Sequence, residues 1–328
     1  MINENEYEIE KINENELQNS ALRLSGYHSH LIHPLFIEYQ KAYNENSIFE
    51  NCSLKIKSKN NNIILPMTIE FKDNIKELNF YNFPITIHCS NEINEQDNNI
   101  LKKVLKNFCV NNNISKYKIC FKKRNPLDTA LNNNFYLITK KIFINCLDSE
   151  ERIYMNFKPN LRNELKKNYG NTPLNYRLID HTNYKNEIIK MKQLHQEVVG
   201  FQTRSDKTWA VNEKMILNKN AFLLEVTLNE ESISYSLFQI NNTICNYFSS
   251  CTKRDLFKIY RNINHKSIWH AIKYAVNKTK IFSLGEVKIF SKETLSKKEK
   301  SIGFFFSRFS NPINNYYYSD SLDYLDFS

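Results

Sequence analysis

The chain has 328 residues, with 45 Lys and Arg against 35 Asp and Glu (net charge +10) and 41% apolar and 13% aromatic residues. That length and apolar share exclude a disordered polyelectrolyte and leave room for two domains or one large one. The excess charge is local: Lys253 to Lys300 holds thirteen Lys or Arg against four acids, net +9. This marks either a solvated lysine-rich surface or a site for a phosphate-bearing partner.

The amino terminus, MINENEYEIEKINENEL, is polar and acidic, so neither a signal peptide nor an anchor is expected there. No stretch reaches the ~18 apolar residues of a spanning helix. The seven cysteines, at 52, 89, 109, 120, 146, 245 and 251, are odd in number and form no CxxC pair. A disulfide framework and a metal site are therefore not expected, and a reducing cytoplasm is the simplest compartment. Glycine occurs five times, with Asn taking turn positions in its stead.

Strand patterns dominate the first part: Ser53 to Lys57, Ile63 to Phe71 after a polar Asn run, and Ile85 to Cys89 after Pro84. Ile100, Val104, Leu105 and Phe108 share one helix face over Asn99 to Phe108. Lys116 to Lys122 alternates as a strand, Asn125-Pro126 starts a short helix, and Phe135 to Cys146 returns to strand. A second unit opens at Asp148-Ser149-Glu150-Glu151, an acidic helix start, and Pro159 restarts the helix until Gly170. Tyr184 to Val199 is helical with His195 near the edge of its apolar stripe. The strands Ala221 to Thr227, Ile233 to Ile240 and Thr243 to Ser249 follow. After the basic loop come a helix from Lys266 to Asn277, a strand from Lys280 to Leu284, a helix within Ser296 to Phe309 and a strand from Asn315 to Ser319. The fold class is α/β, ending in the order β-β-β-α-β-α-β.

Four stretches in that order resemble the Fem-like branch of the GCN5-related N-acyltransferase (GNAT) superfamily. They are NFKPNLRNELKKNYG at 156 to 170, LHQEVVGFQTRSDKTW at 194 to 209, HKSIWHAIKYAVNKTKIFSLGE at 265 to 286 and KEKSIGFFFSRF at 298 to 309. The first is similar to a basic helix between halves. The second is similar to a His, Thr-Arg and Thr-Trp pattern that falls here on His195, Thr203-Arg204 and Thr208-Trp209. In the third, Trp269 and Ile272 fill W-x-x-I positions. The resemblance implies two tandem GNAT-like units of mixed, mainly antiparallel sheets flanked by helices, residues 1–147 and 148–328, the second with the donor site. It further implies an acyl-CoA or aminoacyl-tRNA donor, and an amino sugar or cell-wall precursor as acceptor. Two departures stand out. A late Phe-Lys pair of the family falls on Phe305-Phe306, so that lysine's role does not transfer. The stretch Lys253 to Ser267 lacks the glycines of a phosphate-cradling loop.

Acyl transfer to an amine needs a base, oxyanion donors and a proton for the leaving group. Glu286 is the first candidate base and His195 the second, against the readings of a surface carboxylate and a hydrogen-bonded structural histidine. Tyr247 is a candidate proton donor. Arg254, Lys258, Arg261 and Lys266 are candidate side-chain ligands for donor phosphates. Arg204 is a candidate clamp for an anionic acceptor, or a partner of Asp206. Thr208 and Trp209 flank it, Trp209 either stacking on a sugar or base or filling the core. Two other functions fit these residues: a non-catalytic nucleic-acid binder using Phe257, Tyr260 and Trp269 between cations, and a degenerate transferase-like scaffold.

Overall fold

The computed structural model describes residues 7–24, 30–114, 116–122, 137–291, 295–309 and 314–319. It divides into two compact units: residues 1–140 with 288–296 and 314–328, and residues 141–287 with 297–313. The helix expected after Asn125-Pro126 lies outside the described residues.

In the first unit β1 (Tyr7–Lys11) leads into α1 (Glu14–Leu24), α2 (Pro34–Tyr43) and the strands β2 (Ile48–Asn51), β3 (Leu54–Ser58), β4 (Asn62–Leu65), β5 (Thr68–Lys72) and β6 (Ile75–Asn79). Then come β7 (Ile85–Thr86), β8 (His88–Cys89), α3 (Glu95–Asn111), β9 (Lys116–Tyr117) and β10 (Ile119–Lys122); β11 (Leu137–Asn145) begins in this unit and ends in the second. One sheet has the order β1-β3-β4-β8 and another β2-β5-β6-β9. The single strand expected over Ile63 to Phe71 is two, because Pro66 has no N–H for a ladder; β4 joins the first sheet and β5 the second. Both helices of residues 14–43 escaped the sequence reading, although Pro34 sits in the first turn of α2 and His33 caps it through Nδ1. The third helix is longer than its apolar stripe, since Asn94 and Asp97 form a capping box ahead of it.

The second unit carries α4 (Glu150–Asn156), α5 (Pro159–Lys166), β12 (Asn175–Ile179), α6 (Glu187–Val199), α7 (Asp206–Leu217), β13 (Ala221–Leu228), β14 (Glu231–Ile240) and β15 (Ile244–Thr252). A 3-10 turn (Asp255–Lys258), α8 (Ile263–Ala275), β16 (Ile281–Ser291) and α9 (Lys297–Phe306) follow; β17 (Asn314–Ser319) belongs to the first unit, where it pairs antiparallel with β10. The sheet runs β12-β13-β14-β15-β16-β11, antiparallel through β15 and parallel between β15 and β16. Strand alternation sends Phe222, Leu224 and Phe238 to one face, where they form a core with Ile268, Ala271, Ile272 and Ala275 of α8. The opposite face meets α6, to which Tyr235 and Cys251 bond at Glu187 and the Met191 carbonyl. This is an α/β fold of mixed, mainly antiparallel sheets flanked by helices.

Gly170 follows α5 with φ +74, and a Cβ there would stand 2.5 Å from ring atoms of the buried Tyr260, whose hydroxyl donates to the Thr172 carbonyl. Left-handed strain and the clash add, so Gly170→Ala is expected to destabilise the chain by about 2–3 kcal/mol, read as a shift in urea midpoint.

Candidate active site

The parallel strands β15 and β16 are paired only at Ile244–Ile281, Cys245–Phe282 and Asn246–Ser283. Each strand continues well beyond, to Thr252 and Ser291, so among the described residues their ladder ends at Asn246 and Ser283 and the strands part. Two local features enforce this. On β15 the register against β14 shifts so that Leu237 faces Ser249 while Phe238 faces Tyr247, leaving Phe248 as the extra residue of a bulge that bends the strand. On β16, Gly285 has φ +94, which only glycine adopts readily within a strand, and open space lies beside it. Glu286 follows that kink, exposed and inside β16, because the strand runs past the Leu284 end read from sequence.

Tyr247 is the first residue of β15 beyond the fork. Its hydroxyl donates to Ser250 Oγ, its ring meets Phe238 and Phe306, and burial pushes its pKa up, so it stays a phenol at neutral pH. Phe306, where the family resemblance leads one to expect lysine, therefore stands against a candidate proton donor.

Further along β15, Ser249 accepts from Arg204 NH2 at 3.0 Å. Arg204 NH1 lies 2.7 Å from His195 Nε2. Arginine has no acceptor, so His195 Nε2 must accept and its proton sits on Nδ1, which lies 3.5 Å from Thr203 Oγ1. Burial first, and the Arg204 charge second, lower the His195 pKa from 6.5. Arg204 thus leans on His195 and Ser249; Asp206, its expected partner, pairs with Lys192 at 2.6 Å. The loop is fixed from behind. Gly200 ends α6 in the left-handed region, Gln202 Nε2 donates to the Arg204 carbonyl at 2.9 Å, and Ser205 caps α7.

Of the two readings open for Trp209, ligand stacking and core filling, the structure supports the second, and Thr208 is no substrate contact either. Trp209 and Thr208 lie in the first turn of α7, a helix the sequence reading missed, and are 4% and 0% exposed. Ligand stacking on Trp209 is excluded by that burial. Its ring supports the constellation instead, 5.5 Å from the Arg204 guanidinium and edge-on to His195 at 5.8 Å.

Arg254, Lys258 and Arg261 are exposed on and after the 3-10 turn before α8; Lys266 is half-buried, its Nζ 3.1 Å from Asn168 Oδ1 and its pKa lowered by burial. Asn262 does not cap α8 with its side chain, which donates to the Glu164 and Lys167 carbonyls. The helix start therefore has no side-chain cap and is flanked by cations, the chemistry a phosphate fits. Of the aromatics read as a nucleic-acid stacking surface, Tyr260 is buried and Trp269 packs between Tyr154 and Phe157. No metal-binding cluster of His, Cys, Asp or Glu occurs among the described residues. No described helix is long and apolar enough to cross a membrane.

Ser249 and the fork at Asn246 and Ser283 carry no signal in the sequence, where nothing distinguishes them from ordinary strand residues. No protein-family model matches the chain, and no curated protein does. Among solved structures it is similar to FemX, at TM-score 0.61 and 10% identity over 94% of this chain and 96% of that one. It is similar to a tandem GNAT protein from the clavulanic acid biosynthesis pathway, at TM-score 0.52 and 8% identity over 98% and 100% of the two chains. A third likeness is the C-terminal domain of a putative lysylphosphatidylglycerol synthetase from Agrobacterium fabrum, at TM-score 0.50, 7% identity and 94% and 92% coverage. The chain thus has the fold of FemX and of tandem GNAT proteins along nearly its whole length.

Proposed function

We propose that the chain is an N-acyltransferase whose C-terminal half, residues 148–328, binds the acyl donor, and whose acceptor is the amine of an amino sugar or cell-envelope precursor. The observation that carries this reading is the fork between β15 and β16. Parted strands offer backbone donors and acceptors to an extended, amide-bearing ligand, which can enter as a short added strand. The pantetheine arm of an acyl-CoA has that character, and the phosphates at its far end would meet Arg254, Lys258, Arg261 and Lys266 before α8.

In this reading the amine nitrogen attacks the acyl carbonyl carbon and Glu286 takes the amine proton. The carbonyl–sulfur bond of a thioester, or the carbonyl–oxygen bond of an aminoacyl ester, then breaks, and Tyr247 gives its proton to the departing group. Arg204 meets an anionic group of the acceptor. His195, with Nε2 committed to Arg204, orients that cation instead of serving as the base.

The test is transfer from labelled acetyl-CoA and from charged tRNA into a panel of amino sugars, with donor binding measured across salt. A CoA donor predicts binding lost in Arg254→Ala plus Arg261→Ala, with a shallow salt dependence; a tRNA donor predicts a steep one. A folded chain that binds neither donor and transfers nothing would be the degenerate scaffold, and the proposal would fall.

A further inference from the structure

We propose that α9 and the adjoining start of α5 form a surface that docks on anionic lipid membranes. Lys297, Lys298 and Lys300 are exposed on α9, and so are Phe304 (66%) and Ile302 (38%). Helical spacing puts Lys300 and Lys297 one and two turns before Phe304 on a single stripe, whereas Lys298 and Ile302 lie on another side of the helix and are no part of this surface. Away from the Phe304 stripe, Phe305 and Phe306 pack into the core, and a Cβ on Gly303 would come 2.9 Å from Val287.

The surface continues onto α5 through Arg308, whose guanidinium lies 5.9 Å from the Phe304 ring and donates to the Asn160 carbonyl at 3.2 Å. Its own carbonyl accepts from the Lys158 N–H at 3.0 Å. Lys158 is exposed here, and Arg162 NH1 donates to the carbonyl of Met155, a residue 59% exposed. The acids nearby are few. Glu164 is bound by Lys167 at 2.9 Å, Glu299 is half-buried, and Glu150 and Glu151 sit at the far start of α4.

Cations interleaved with the protruding Phe304 and Met155 side chains match an interface of anionic headgroups over acyl chains. A nucleic acid would use the same cations, but Met155 has no ring to stack on a base. The apolar side chains therefore favour the lipid surface. This inference does not depend on the transferase reading.

Flotation of the whole chain with vesicles tests it, comparing phosphatidylcholine alone with phosphatidylcholine containing about a third phosphatidylglycerol. Partition onto the anionic vesicles is expected to exceed that onto neutral ones about tenfold or more. Phe304→Ser with Met155→Ser should weaken it about tenfold. Lys297→Gln and Lys300→Gln together should weaken it about 25-fold, at about fivefold per cation. Circular dichroism establishes that each variant is folded. Equal partition onto both vesicles overturns the proposal. So does a double serine variant that binds as well as the parent, since simple polyanion attraction would then suffice. So does capture by an RNA duplex with no binding to anionic vesicles.

Discussion

Replacing Arg177 by methionine is expected to lower the unfolding free energy at neutral pH by about 3 kcal/mol. Arg177 Nε donates to Glu225 Oε2 at 2.7 Å and NH2 to Glu187 Oε1 at 2.8 Å, two carboxylates that are 2% and 5% exposed. The buried Tyr235 hydroxyl lies 2.7 Å from Glu225 and 2.9 Å from Glu187, and Ser232 donates to Glu225 at 2.6 Å. Through this network β12, β13 and β14 hold the first turn of α6, the helix that carries His195. The lower end of the range for a broken buried pair applies, because the Arg177 side chain is 45% exposed and its outer edge is hydrated.

The loss should depend on pH in a definite sense. Burial alone would raise both carboxyl pKa values, but hydrogen bonds led by Arg177 hold them below 4.5. A carboxylate with a depressed folded pKa contributes stability above its unfolded pKa, and that contribution is lost as pH falls through the folded value. Without Arg177 burial acts with less opposition and the folded pKa values rise, so acid relieves the variant while it begins to weaken the parent. Urea unfolding at pH 7 and at about pH 5 should therefore show the gap narrowing. A gap of the same size at both pH values would assign the effect to the lost packing of the arginine stem instead.

Replacing Arg204 by alanine is expected to reduce kcat/KM for the acceptor about a hundredfold, with donor affinity changed by no more than about twofold. Lysine should not restore it, because one ammonium cannot reproduce the planar fork that reaches His195 and Ser249 together. His195 supplies a second readout. Its depressed pKa means that its contribution is present above 6.5 and lost as pH falls through the folded value, where imidazolium and guanidinium repel. Alanine at 204 removes the second of the two causes, so the His195 titration, followed by NMR of its ring, should move up toward 6.5. An unmoved titration would sink the positioning role of His195, and an unchanged acceptor kcat/KM would remove Arg204 from the site.

Local chemistry made much of the second unit readable in advance. Ser149 before an acidic turn and Pro159 at a first helical position fixed α4 and α5, and alternating runs gave β13, β14 and β15. The stripe of Ile268, Ile272 and Ala275 gave α8 its buried face. Local signals also mark two elements absent from the expected order: Ser205 and Asp206 form the capped start of α7, and Pro66 divides β4 from β5.

By itself the sequence determined the alternation of helices and strands and the basic segment before α8, because periodicity, capping and charge are properties of neighbours along the chain. Only the tertiary structure decided that β15 and β16 part after three residue pairs, that Arg204 rests on Ser249 and His195 and leaves Asp206 to Lys192, and that Trp209 is a buried support. Those outcomes depend on register between strands and on which face of a helix meets the sheet. Both are set by packing between segments tens of residues apart, which no local pattern records.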